Sequence, residues 1–113
     1  MRINTGFGST CLLVAAGLLV SSLTFHAAVP APDGAAIFKK NCAICHGADG
    51  KAIPTFKTPN FTEPKWQASA KDKDIREVIK NGKKGTLMQG FGSQLKDEEI
   101  SAVIAYIRSL KKK

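Results

Sequence analysis

Cys42, Cys45 and His46 are the side chains of this sequence best suited to hold a metal centre, and they fall within five residues, Cys42-Ala43-Ile44-Cys45-His46. Two thiols separated by two residues and followed at once by an imidazole make the C-x-x-C-H pattern by which a chain attaches a c-type haem. The thiols add across the porphyrin's vinyl groups, and the histidine reaches under the ring to give an imidazole nitrogen to iron. A turn of helix brings both sulfurs to neighbouring edges of one macrocycle, so the ligand dictates the spacing. Other chemistries of paired cysteines fit less well. Structural zinc normally takes four Cys or His ligands, and no Cys or His follows His46. A thioredoxin-like pair requires a βαβ setting, whereas the flanks here read as helix and loop. A disulfide between Cys42 and Cys45 would leave His46 without a role.

The amino terminus points the same way. Arg2 precedes an apolar run from Cys11 to Phe25, then small residues, then Pro32 and Asp33, which reads as a secretory signal peptide over residues 1–28, cut at about 27–31. A run of about fifteen apolar residues is short of the roughly twenty that span a bilayer, so an uncleaved anchor is the less favoured reading. Cys11 lies within the leader and needs no partner. The remainder, 29–113, is one small domain. Chains of this size bury a modest core and usually add a staple such as a disulfide or a prosthetic group; a haem would be that staple.

Three helical stretches separated by loops must position the motif. Asp33 can cap a first helix that runs from Gly34 through Asn41 into the cysteines. From Gly47 to Trp66 the chain is rich in Gly, Pro, Thr and Asn, and Pro54, Pro59 and Pro64 read as breaks in any regular helix, leaving a long loop that wraps the bound group. A second helix is expected from Ser69 or Lys71 to Lys80, with Ile75, Val78 and Ile79 on one face and Asn81-Gly82 stopping it. The last helix begins at Asp97. Its Ile100, Val103, Ile104, Ile107 and Leu110 recur at helical intervals, with acids in the first turn and lysines at the end, as the helix dipole favours. There is no strand signal and no internal repeat.

These features together resemble class I c-type cytochromes of the small soluble bacterial kind, from about Asp33 to Leu110. Gly34 and Phe38 stand eight and four residues before the first haem cysteine, as in that family, and Tyr106 matches the aromatic residue that packs on them from the last helix. The stretch from Asn81-Gly82-Lys83 through Met88, Phe91-Gly92 and Leu95 resembles the family's methionine loop. The resemblance implies an all-α cytochrome c fold around one covalently bound haem c, with His46 and Met88 as axial ligands. It also implies a proline carbonyl accepting the Nδ1 proton of His46, for which Pro54 is the candidate. Trp66 could donate its indole hydrogen to a haem propionate, with simple burial of the loop as the alternative reading. One departure stands out: the family's methionine is usually followed by proline, and Met88 is followed by Gln89. Proline would stiffen the loop, so the iron to sulfur bond is expected to open more easily here.

With both axial positions filled, the iron has no open site, and the implied function is one-electron transfer in the periplasm, not catalysis. The alternative is a five-coordinate haem protein, gas-binding or weakly peroxidatic, made possible by a labile Met88. Seventeen Lys and Arg against nine Asp and Glu give a net charge of +8, and loss of Arg2 with the leader leaves about +7. Lys39, Lys40, Lys80, Lys83 and Lys84 could ring an exposed haem edge and steer transient redox partners with acidic docking surfaces. Scattered lysines that only solubilise the domain are the plainer alternative. An exported monomer has no use for nucleic acid, while weak contact with an anionic membrane surface is compatible with the charge. The donor, the acceptor and the potential are not written in the sequence.

Overall fold

The computed structural model describes residues 27–112 together with Ile3 and Gly6. The expected leader falls almost wholly outside the described residues, as does Cys11. Among the described residues no helix is long and apolar enough to cross a membrane.

The domain is all-α, with helices α1 (Gly34–Asn41), α2 (Ala43–His46), α3 (Pro64–Ser69), α4 (Asp72–Asn81) and α5 (Asp97–Ser109), and a 3-10 turn over Pro54–Phe56. Asp33 starts α1 as expected, its carboxylate accepting the Ala35 and Ala36 amides at 3.0 and 3.1 Å. These are free donors of the first turn, which helix geometry alone cannot satisfy. The helix does not run unbroken into the motif. It steps at Cys42, and the single turn of α2 carries Cys45 and His46 onward until Gly47, at φ 80°, ends it.

The segment read as one long loop also contains a helix. Pro64 does not break α3; it occupies the first turn, where its missing N–H costs nothing because no carbonyl awaits it. α4 and α5 keep the expected registers. Ile75 and Ile79 of α4 and Ile100, Val103, Ile104 and Ile107 of α5 are buried, and with Phe38, Phe61 and Phe91 they make the core. Gly82 caps α4, donating its N–H to Val78 O at 2.8 Å.

α1 packs across α5, and the crossing depends on Gly34. A Cβ there would lie inside contact distance of the Ala102 carbonyl oxygen and 3.1 Å from the Val103 nitrogen, both rigid backbone. One turn on, Phe38 is fully buried and its ring lies 5.2 Å from that of Tyr106. Arg108 ties the carboxy-terminal end of α5 to α3 and α4, donating to Ala70 O at 2.6 Å and, through Nε, to Asp72 Oδ1 at 2.8 Å.

Gly34→Ala is therefore expected to force α1 and α5 apart and to destabilise the holoprotein by about 2 kcal/mol, the usual cost of overpacking a tight contact. Gly85→Ala, where a Cβ meets nothing within 4 Å, should cost only the backbone preference of glycine at positive φ. Thermal denaturation of both variants checks the difference.

Candidate haem cleft

A single cleft of about 590 Å³ is lined at once by Cys42, Cys45 and His46 from the motif and by Met88 from the segment between α4 and α5. Two stretches far apart in sequence thus deliver the residues singled out for iron and haem to one place. The walls between them are apolar: Phe38, Phe61, Ile75, Ile79, Phe91 and Val103 all face it.

Both motif cysteines are free thiols. Burial pushes the Cys42 thiol up to about 11, because a thiolate loses its hydration there, which favours the protonated thiol. His46 is pulled below its ordinary value, again by burial, which keeps the imidazole neutral and its lone pair available to a metal. Its ring stacks on Phe61, centroids 4.7 Å apart and planes at 19°. Nδ1 of His46 is buried with no hydrogen-bond partner among the described residues. An unpartnered polar nitrogen in an apolar cleft beside two free thiols fits a covalently held haem, whose iron would take one ring nitrogen and leave the other to donate.

Pro54, the candidate acceptor, lies outside the cleft lining; it starts the 3-10 turn, and its carbonyl accepts the Lys57 N–H at 3.1 Å. The proline that lines the cleft is Pro59. Three prolines in one loop look alike in sequence, and only the path of the chain separates them. Neighbouring Thr58 ties that path to the motif, its hydroxyl donating to Cys45 O at 3.1 Å. Trp66 is half-buried, lines the cleft and lies 4.7 Å from Phe61 by ring centroids.

Met88 is half-buried at the rim of a small closed turn. Lys83 N–H donates to Met88 O at 2.9 Å, the Thr86 hydroxyl donates to Lys83 O at 2.7 Å, and Met88 N–H donates to Thr86 Oγ1 at 3.2 Å. Gly82 and Gln89 face each other as an isolated antiparallel bridge. The base is tight: a Cβ on Gly82, at φ 78°, would come 2.6 Å from Met88 O and 2.9 Å from the Gly90 nitrogen. Phe91 and Gly92 then anchor the turn to α4, donating to Ile79 O at 2.8 Å and Lys80 O at 3.0 Å. The turn is thus braced without proline at 89.

Charge around the cleft differs from the sequence expectation. Lys83 lines the cleft, and so does Lys57, which sequence reasoning did not single out. Lys80 does not line the cleft; its ammonium lies 2.9 Å from Asp97 Oδ1. Ile44 and Leu87, 76% and 80% exposed, stand on the same rim.

Residues 29–107 match the family described as cytochrome c oxidase, cbb3-type, subunit III. The chain is similar to the cbb3-type cytochrome c oxidase subunit FixP of Bradyrhizobium sp. (strain ORS 278), 33% identical over 80% of this chain and 31% of that protein. It is also similar to a dihydro-heme d1 dehydrogenase of Pseudomonas aeruginosa, 34% identical over 83% of this chain and 18% of that one. The chain spans less than a third of the length of these curated relatives. Among solved structures, the KustC0563 c-type cytochrome superposes with a TM-score of 0.66 at 31% identity, covering 71% of this chain and 99% of that one.

Gly82→Ala is expected to open the base of the methionine turn, since both the clash and the positive φ oppose a side chain. The Lys83 amide, whose acceptor is Met88 O, should then exchange its hydrogen on the order of tenfold faster, equivalent to about 1.4 kcal/mol. Hydrogen exchange read residue by residue checks this.

Proposed function

Because the chain belongs to the cbb3-type cytochrome c oxidase subunit III family of c-type cytochrome domains, and so carries covalent haem c and serves electron transfer, we propose that Cys42 and Cys45 form the thioethers and that His46 and Met88 are the axial ligands. The convergence of these four residues on one apolar cleft carries the reading. The haem iron supplies a reversible one-electron couple, and methionine opposite histidine raises its potential by favouring the ferrous state.

The chain's own residues do the rest. The neutral His46 presents a ring nitrogen, and the carbonyl of Pro59, not of Pro54, is the candidate acceptor for its Nδ1 proton, which would fix the tautomer. Phe38, Phe61 and Phe91 line the cleft and would exclude water from a bound haem, lowering the dielectric around it. Met88 is presented by a turn whose hydrogen bonds close on Gly82, and Gln89 donates none of the loop's backbone hydrogen bonds among the described residues. Trp66, on the cleft wall, is placed to offer its indole hydrogen to a propionate.

With both axial positions occupied by protein, the domain carries electrons and does not bind substrate at iron. We place it in the periplasm as a monomer moving between a membrane complex or dehydrogenase and an oxidase or reductase. Lys57 and Lys83, which line the cleft, together with the exposed Lys39, Lys40 and Lys84, would offer the basic surface that acidic partners meet.

Met88→Ala tests the ligand set. The variant should stay folded, convert its ferric haem towards high spin, lower its potential and admit cyanide or carbon monoxide, read by absorbance and redox titration. An unchanged ferric spectrum would remove Met88 from the iron, and a wild-type protein already high-spin would favour the five-coordinate alternative. Charge reversal at Lys83 and Lys84 should slow electron transfer to an acidic partner several-fold at low salt and much less at physiological ionic strength, where fields are screened beyond about 8 Å. Stopped-flow rates that ignore ionic strength in both proteins would leave the lysines with solubility alone.

A further inference from the structure

Phe61 is the residue whose placement the ligand set does not yet explain. It lies outside every helix, yet it is only 6% exposed, and its backbone is pinned at both ends. Its N–H donates to Gly50 O at 2.8 Å, and its carbonyl accepts the Gln67 side-chain amide at 2.7 Å. The same Gln67 nitrogen donates to Ile107 O at 2.7 Å, bridging this loop to α5. Arg108 fixes the other end of that amide, donating to Gln67 Oε1 at 3.1 Å and to its backbone carbonyl at 2.9 Å. A buried glutamine with both ends satisfied is a rigid strut, because any rotation leaves a buried polar group without a partner.

The strut serves an aromatic stack. The Phe61 ring is flanked by His46 at 4.7 Å on a near-parallel plane and by Trp66 at 4.7 Å and 47°, with Phe38 at its edge, 6.2 Å away. Rotation of the His46 imidazole would tilt its face out of parallel with a ring that cannot move aside. Beside the Nδ1 acceptor proposed at Pro59, the stacked Phe61 ring is the constraint on that rotation visible among the described residues. We propose that Phe61 is a positioning residue that sets the plane of the His46 imidazole, and that the Gln67 strut between the loop and α5 holds it there. The proposal rests on His46 being an iron ligand. Its consequence is electronic: the angle of an axial imidazole plane fixes how unpaired spin spreads over the porphyrin of ferric low-spin haem, so Phe61 would tune the haem without touching iron.

Nuclear magnetic resonance of the holoprotein separates this from a merely packing role. In the ferric form, Phe61→Leu, which removes the flat face, should change the order or spread of the haem-methyl resonances, and Phe61→Tyr, which keeps it, should retain the native pattern. Ile104→Val, a core truncation on α5, should lower stability and leave the pattern unchanged. A native pattern in a folded, low-spin Phe61→Leu protein overturns the proposal. Should that variant fail to assemble, the wild-type ferrous protein decides: cross-relaxation between Phe61 and His46 ring protons supports the stack, and its absence overturns it. His46 ring protons undisplaced by the haem ring current would instead overturn the ligand assignment, and this proposal with it.

Discussion

A domain of this size whose helices face a cleft of about 590 Å³ cannot complete its core with its own side chains. The apolar faces of α4 and α5 and the rings of Phe38, Phe61 and Phe91 converge on that space, and burying apolar surface is the main force that holds a small domain together. The bound haem is therefore part of the fold as much as its function. The remaining features serve to keep the cleft the right shape: α1 and α5 cross closely enough to close one end, the methionine turn closes another, and the loop from Gly47 to Glu63 wraps the side beneath His46.

Two of these closures depend on a missing side chain, for different reasons. At Gly34 the conformation is ordinary and the space is not, since the Ala102 carbonyl occupies the place of a Cβ. At Gly82 the space and the conformation both demand glycine. The second closure is braced by Lys83, Thr86 and Met88 hydrogen bonds, to which Gln89 contributes no backbone donor among the described residues.

The elements that sequence made legible are those with a local signature. The motif is contiguous, Gly34, Phe38 and Tyr106 are marked by the resemblance to class I c-type cytochromes, and α4 and α5 follow from apolar periodicity and their flanking residues. α3 was hidden because Pro64 reads as a breaker unless it is recognised as a first-turn residue, a signal that was available. The placement of Pro59 and not Pro54 in the cleft wall, the ion pair between Lys80 and Asp97, the arrival of Lys57 at the cleft and the contacts of Gln67 carry no local signature. Each depends on where distant segments meet, and that is fixed only when the chain closes around the cleft.

Intact mass spectrometry of the purified native protein tests the central claim most directly. The account predicts a chain carrying the added mass of one haem that survives acid and organic solvent, and predicts its loss when Cys42 and Cys45 are both replaced by alanine. A native chain at its bare polypeptide mass, or a haem retained covalently in the double variant, would contradict it.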